Sequence, residues 1–275
     1  MSTTVTENAR PAPTGGGLRG LVAAEWTKLW SVRATWWSLA GALGLMILYT
    51  VSIGFDMSQP PERADEMARA DLILTAGEAA LGGLTGVQFV VLALGVLAVT
   101  TEYSTGSIRS TLQWDPRRSH LVLAKTLVLA PVTLVAGSVI GLVGGVLGYL
   151  TAGEYGAFDA ANDLADVARI GVYCAAVTTL AVGLSLLLRS TAGVLTTLFM
   201  LLLLAPMLLQ ATGLDAMGTV AEYLPGSAGM QFLGAAGSIG MSDLPYGRSA
   251  GLAILSVWAV AALAAGYAVL RRRDA

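Results

Sequence analysis

The chain has 275 residues, of which 55% are hydrophobic and only 12% are charged, about half the charged share of an ordinary soluble domain. Too little polar surface remains to cover a water-soluble globule of this size, so a soluble enzyme is excluded and the bilayer must be the main solvent. A single cysteine, Cys174, and a single histidine, His120, exclude an internal disulfide and a Cys/His zinc site, and no metal ligand set is expected.

Residues 1–17, MSTTVTENARPAPTGGG, have no apolar run and end in three glycines. They are expected to be a disordered tail, not a cleaved secretory signal. Residues 18–33, LRGLVAAEWTKLWSVR, predict an amphipathic helix. At 100° per residue Leu18, Leu21, Val22, Trp26, Leu29 and Trp30 share one half of its surface, with Arg19, Lys28 and Ser31 at the margins. Tryptophan beside basic residues suits the headgroup zone, so this helix is expected along the inner leaflet, with Trp36-Trp37 marking the turn into the membrane. Glu25 and Arg33 fall toward its apolar half. Contact with headgroups or an ion pair to another cytoplasmic loop would account for each.

Six apolar stretches follow, at 36–55, 79–101, 121–150, 170–188, 192–214 and 249–270. Each is near or above the roughly 20 residues that cross a bilayer as a helix, and the third is long enough to tilt or protrude. Within the third, Gly137, Gly141 and Gly145, with Gly144 and Gly148 beside them, form a smooth face for close helix packing. Pro131 and Pro206 are expected to kink the third and fifth spans, freeing the carbonyls of Leu127 and Leu202. Gln88 and Gln210 are uncharged polar groups inside the second and fifth spans, suited to contacting a substrate or to interhelical hydrogen bonds.

An even number of spans puts both termini on one side, and the positive-inside rule makes that side cytoplasmic, because 12 of the 16 Lys and Arg then lie inside. No ionisable side chain falls in the middle of a span. Ion-coupled carriers generally need such groups, at about 2.5 to 3.5 kcal/mol each, so that machinery is missing. Lys125, four residues into the third span, is expected to snorkel back to the interface.

The inner loop 102–120, EYSTGSIRSTLQWDPRRSH, offers a turn at Thr105-Gly106-Ser107. A short helix with Ile108, Thr111 and Leu112 on one face should follow and end at Asp115-Pro116. Arg109, Arg117 and Arg118 suit either lipid headgroups or the rim of a docking patch. The outer segment 215–248, with Pro225, Gly226, Gly229 and Gly234, is too long for a turn; short helices dipping into the outer leaflet and closing an exit are expected there. The acidic groups Glu62, Asp65, Glu66 and Asp71, and then Glu154, Asp159, Asp163 and Asp166, read as solvated outer loops. Lys125-Thr126 follows Ala124 and not glycine, so no P-loop is present and the chain is expected to hold no nucleotide of its own.

Three stretches, Glu25-Trp26-Thr27-Lys28-Leu29-Trp30-Ser31, Glu102-Tyr103-Ser104-Thr105-Gly106-Ser107-Ile108-Arg109 and Tyr223-Leu224-Pro225-Gly226-Ser227-Ala228-Gly229, resemble, in this order, permease subunits of the ATP-binding-cassette type-2 transporter family, particularly the high-GC bacterial type. The resemblance covers most of the chain from residue 18. It departs at Gly106-Ser107, where the family usually has Gly-Thr, a change that keeps the hydroxyl. It implies an all-α polytopic membrane protein in one permease domain, 18–275, with a cytoplasmic elbow helix, six spans and a coupling helix between spans 2 and 3 that docks on a separate ATPase. The residues it marks for coupling are Glu102, Gly106, Ile108, Arg109, Leu112, Arg117 and Arg118. Ile108 and Leu112 would insert into an apolar cleft on the ATPase, the arginines would meet acids at its rim, and Glu102 would pair with Lys28 or Arg33 of the elbow.

The resulting expectation is the non-enzymatic permease subunit of an exporter in the bacterial cell membrane. It would move an amphipathic or apolar compound such as a drug, antibiotic or lipid-like molecule. Its partners would be an ATPase dimer carrying ATP and Mg, a second permease copy or paralogue, and membrane lipid, with no role for nucleic acid. The alternative is a non-transporting anchor or immunity protein that recruits a cytoplasmic partner.

Overall fold

The computed structural model describes residues 17–58, 73–241 and 244–272. The expected tail, all but Gly17, and the first acidic loop lie outside the described residues. Helix α1 runs Gly17–Ser31 and α2 Arg33–Ser58. The corner between them is made by side chains that take up α1's last carbonyls: the Thr35 hydroxyl donates to Leu29 O at 2.6 Å and the Trp36 indole to Trp30 O at 3.2 Å.

Helix α3, Ala76–Thr105, starts at a reciprocal cap in which Thr75 Oγ1 accepts from Glu78 N and Glu78 Oε2 from Thr75 N. It ends at Gly106, whose φ of 73° supplies the left-handed residue a helix C-terminus favours. The short α4, Ser107–Trp114, leads to α5, Arg118–Ala152, which runs unbroken through Pro131. Next come α6, Ala160–Leu188, and α7, Thr191–Phe199. A π turn over Met200–Leu204 joins α7 to α8, Ala205–Ala211. The surface helices α9, Asp215–Glu222, and α10, Pro225–Leu233, precede α11, Arg248–Arg272. A two-residue parallel pair, Leu74–Thr75 with Gly156–Ala157, ties the start of α3 to the end of α5.

Among the described residues six helical segments are long and apolar enough to span a membrane, one at each of the six expected stretches, and two of them differ in a way that has a local cause. The fourth begins ten residues earlier, because Asp159 caps Ala160 onward by accepting from the backbone N–H of Ala161 and Asn162. The fifth stops at Ala211 and is interrupted by the π turn, where Ala205 N bonds Met200 O, an i→i+5 register that accommodates the N–H missing at Pro206.

Helix α6 is the hub, with 72% of its most apolar window buried against 22% for α2 and α11. The glycine face of α5 seats its neighbours: Gly137 abuts Cys174 and Gly171, Gly144 abuts Met46, and Gly145 abuts the Ala76 carbonyl. Side chains larger than hydrogen would not fit there, so this face serves packing within the chain. Asp163, expected in solvent, is buried and accepts from Gly77 N at 2.8 Å, placing a carboxylate at the N-terminus of α3.

Candidate functional site

At the end of the bundle where α1, α4 and the starts of α2 and α5 meet, four ionisable side chains come together. Glu25, Leu21 and Leu29 form the buried stripe of α1, and this stripe lies against α5. Lys125 is fully buried and is held by Glu25 Oε2 at 2.9 Å, Glu102 Oε1 at 2.8 Å and the Ala98 carbonyl at 3.2 Å. Lys28 reaches the same two carboxylates, bonding Glu25 Oε1 at 2.9 Å and also Glu102 Oε1. Two carboxylates and two ammoniums make the cluster neutral, which offsets much of the cost of burying each charge.

Lys125 therefore does not snorkel. The stem stays inward because α1 folds beneath the bundle and brings Glu25 to it, while α3 brings Glu102. Glu102 pairs with Lys28, as expected, and with Lys125, while Arg33 is exposed. Burial pushes the Glu25 carboxyl up, but the ammoniums of Lys125 and Lys28 outweigh it and hold the group below its ordinary range. Burial pulls the Lys28 ammonium down, and the Glu102 and Glu25 carboxylates more than reverse this.

The short helix α4 hangs from Gly106. Its Ile108 is 2% exposed and packs in the core cluster that holds Leu29, Val99, Leu121 and Leu270. The expectation that Ile108 inserts into a partner is corrected: this side chain is already covered by its own chain. Among the residues of α4 whose side chains are described, Trp114 at the helix end is the large exposed one, 71% accessible, and sequence reasoning did not single it out. Gly106 holds the left-handed turn, and Arg109 and Leu112 lie on α4. Arg117 caps α5 with its N–H bonded to Asp115 Oδ1. Arg118 donates to the Leu270 carbonyl, so it binds the end of α11. Asp115 also bonds His120 Nδ1 at 2.8 Å, and this contact with the Arg117 N–H holds its carboxyl below the ordinary range. Arg189, at φ 56°, closes α6 with its guanidinium 4.9 Å over the Tyr103 ring.

Where α1 meets α2 and α5, the Trp26, Trp30 and Trp36 rings stand edge to face or tilted at 5.6 and 5.2 Å and line an apolar groove of about 570 Å³ with Leu39, Pro131 and Val135.

The other end of the bundle holds the 215–248 segment. Helix α10 is almost wholly buried. A Cβ at Gly226 would stand 2.1 Å from the Leu202 oxygen, and one at Gly229 2.4 Å from the Tyr173 ring. Pro225 opens α10 at its first turn. Gln88 accepts a hydrogen bond from the buried Tyr173 hydroxyl, an interhelical bond between α3 and α6. Gln210 is exposed at the end of α8, lining a recess with Asp215, Gly218 and Glu222. Among the described residues no cluster of three or more His, Cys, Asp or Glu is placed to hold a metal.

Residues 25–275 match the family model described as ABC-2 family transporter protein. The chain belongs to that family. No individual curated protein matches it. ABC-2 permeases are membrane subunits of transporters whose ATPase is a separate chain, so this chain is a transmembrane subunit of an ABC transporter and works in general with a partner ATPase. The matched region opens at Glu25 and so takes in all four members of the permease's charge cluster.

Proposed function

We propose that the chain is the permease of an ATP-driven exporter in a bacterial cell membrane, with both termini cytoplasmic, moving an amphipathic or hydrophobic compound outward. The observation that carries this reading is the construction of α4. One side is anchored through Ile108 in the bundle, its start turns on Gly106, and Trp114 is left exposed at its end. A helix held in this way transmits force from whatever meets its free side to spans 2 and 3. We assign Trp114 to the docking side, with Arg117 beside it, and Arg109 and Leu112 lie on the same helix. ATP and Mg stay on the partner.

The charge cluster ties α1, as the elbow, to the same two spans, so a displacement of α4 moves three elements together. Gly226 and Gly229 pack α10 against the fifth and fourth spans near the outer end, where Pro225 starts the helix that shuts the exit. The charge distribution supports the orientation, since the end carrying α4 also carries Lys28, Arg117, Arg118, Lys125 and Arg189. Membrane lipid covers the tryptophan groove, and a second permease copy or a paralogue completes the pathway.

The test is a pull-down of the tagged chain from its native membrane, followed by ATP turnover in nanodiscs. A co-purifying ATPase whose turnover rises at least about threefold with an amphipathic compound, and loses that rise with Trp114→Ala, is the expected result. A chain that retains no nucleotide-hydrolysing partner contradicts the reading.

A further inference from the structure

The charge cluster opens onto a cavity. A space of about 130 Å³ lies between α1, α2, α3 and α5. Glu25 and Lys28 stand on its wall, and Leu29, Val32, Leu97 and Leu129 supply aliphatic surface. The two lysines that neutralise Glu25 and Glu102 are not equivalent. Lys125 has no exposed side-chain surface and three acceptors around its ammonium, so it is locked in place. Lys28 is 41% exposed on the edge of α1 and reaches in to the carboxylates from outside. Both lysines engage Glu102 through Oε1, while Glu102 Oε2 is buried and takes no hydrogen bond from the described residues. A carboxylate has about four acceptor positions, so the pair retains capacity for another donor.

We propose that Glu25 on the wall of this cavity, backed by Glu102 of the same charge cluster, is a subsite for the cationic head of an amphiphile arriving from the inner leaflet, with Lys28 as the resident cation that the ligand displaces. The inference rests on the transport reading and names its substrate class. An alkylammonium carries the same N–H donors as the Lys28 head, and its chain lies along the aliphatic wall. Lys28, on a flexible stem at the helix edge, swings to the headgroups as the ligand enters. The exchange keeps the cluster neutral and leaves no buried charge unpaired. An anionic head would instead face two carboxylates, and relieving them would require Lys125 to leave a site in which it is fully enclosed. Discrimination by charge therefore follows from the unequal exposure of the two lysines.

The experiment measures binding of dodecylamine, dodecanol and dodecanoate, which share a chain and differ in head charge, to the permease in nanodiscs by titration calorimetry, with empty nanodiscs subtracted. Removing the competing cation with Lys28→Met should tighten dodecylamine about tenfold, and Lys28→Arg should return it to the wild-type value. Glu25→Gln should weaken dodecylamine about tenfold, while dodecanol and dodecanoate change less than about twofold in every variant. Lys28→Gln, which keeps a polar head, repeats the first result if Lys28→Met unfolds. Dodecylamine affinity indifferent to Lys28, or a preference for dodecanoate that Lys28→Met abolishes, overturns the proposal.

Binding is read without nucleotide, which separates the two readings. Charge-selective binding with no partner ATPase removes the transport reading and keeps the subsite. ATP-driven export of neutral compounds with amine affinity indifferent to Lys28 removes the subsite and keeps transport.

Discussion

Replacing Lys125 by Met puts a side chain of similar length and no charge into a fully enclosed position. The change removes the bonds to Glu25 Oε2 and the Ala98 carbonyl and the ion pair with Glu102. Two carboxylates, 7% and 4% exposed, are then left to share Lys28 alone, which is 41% exposed. Removing one partner of a buried ion pair typically costs about 3–5 kcal/mol. At roughly 2–4 °C per kcal/mol for a chain of this size, the unfolding temperature in nanodiscs should fall by about 6–20 °C. The double change Lys125→Met with Glu25→Leu leaves Lys28 and Glu102 as a neutral pair and should recover most of the loss, because apolar replacement of a whole buried pair is often neutral. Differential scanning fluorimetry on the wild type, both single variants and the double variant closes the cycle. A loss below about 2 °C for Lys125→Met would mean that the lysine is solvated, and the buried cluster would have to be abandoned.

Gly226→Ala drives a methyl into the Leu202 carbonyl and should cost about 1–3 kcal/mol as overpacking, whereas Gly237→Ala, with open space at its Cβ, should be silent; equal unfolding temperatures would refute the close approach. Ile108→Asp buries a carboxylate without a partner and should lower stability by several kcal/mol, while Trp114→Ala should shift it by no more than about 0.5 kcal/mol and still weaken association with the ATPase. Glu25, held low, contributes stability above its ordinary 4.5 that is lost as pH falls through its lower folded value, and Lys28, held high, contributes stability below 10.5 that is lost as pH climbs through its higher one. The stability difference between wild type and Lys28→Met should therefore be flat across neutral pH and shrink above 10.5; disappearance near pH 7 would contradict this assignment.

The spans, the α1 helix, the turn at Gly106 and the packing role of the Gly137–Gly148 face were legible because each depends on local composition or period. The Glu102–Lys28 pair was legible for a different reason: both residues lie at span ends on the same side. Lys125 was not, since its distance from the span end suggests escape to the interface, and burial follows only when residues 100 positions apart supply the cover. The face carrying Ile108 was recognised as apolar, but an amphipathic helix of eight residues does not state whether its own chain or a partner covers that face. Asp163 read as loop because its acceptor role depends on the start of α3, 86 residues away. The bond between Tyr173 and Gln88 joins two spans in a way that no spacing rule reveals.

The most direct measurement places a photo-crosslinking amino acid at position 114 in living cells and identifies what it captures. An adduct with a nucleotide-hydrolysing cytoplasmic protein, changed in yield by trapping ATP on that partner, is the expected result. Capture of proteins from the outer side of the membrane, with no ATPase adduct, would contradict it.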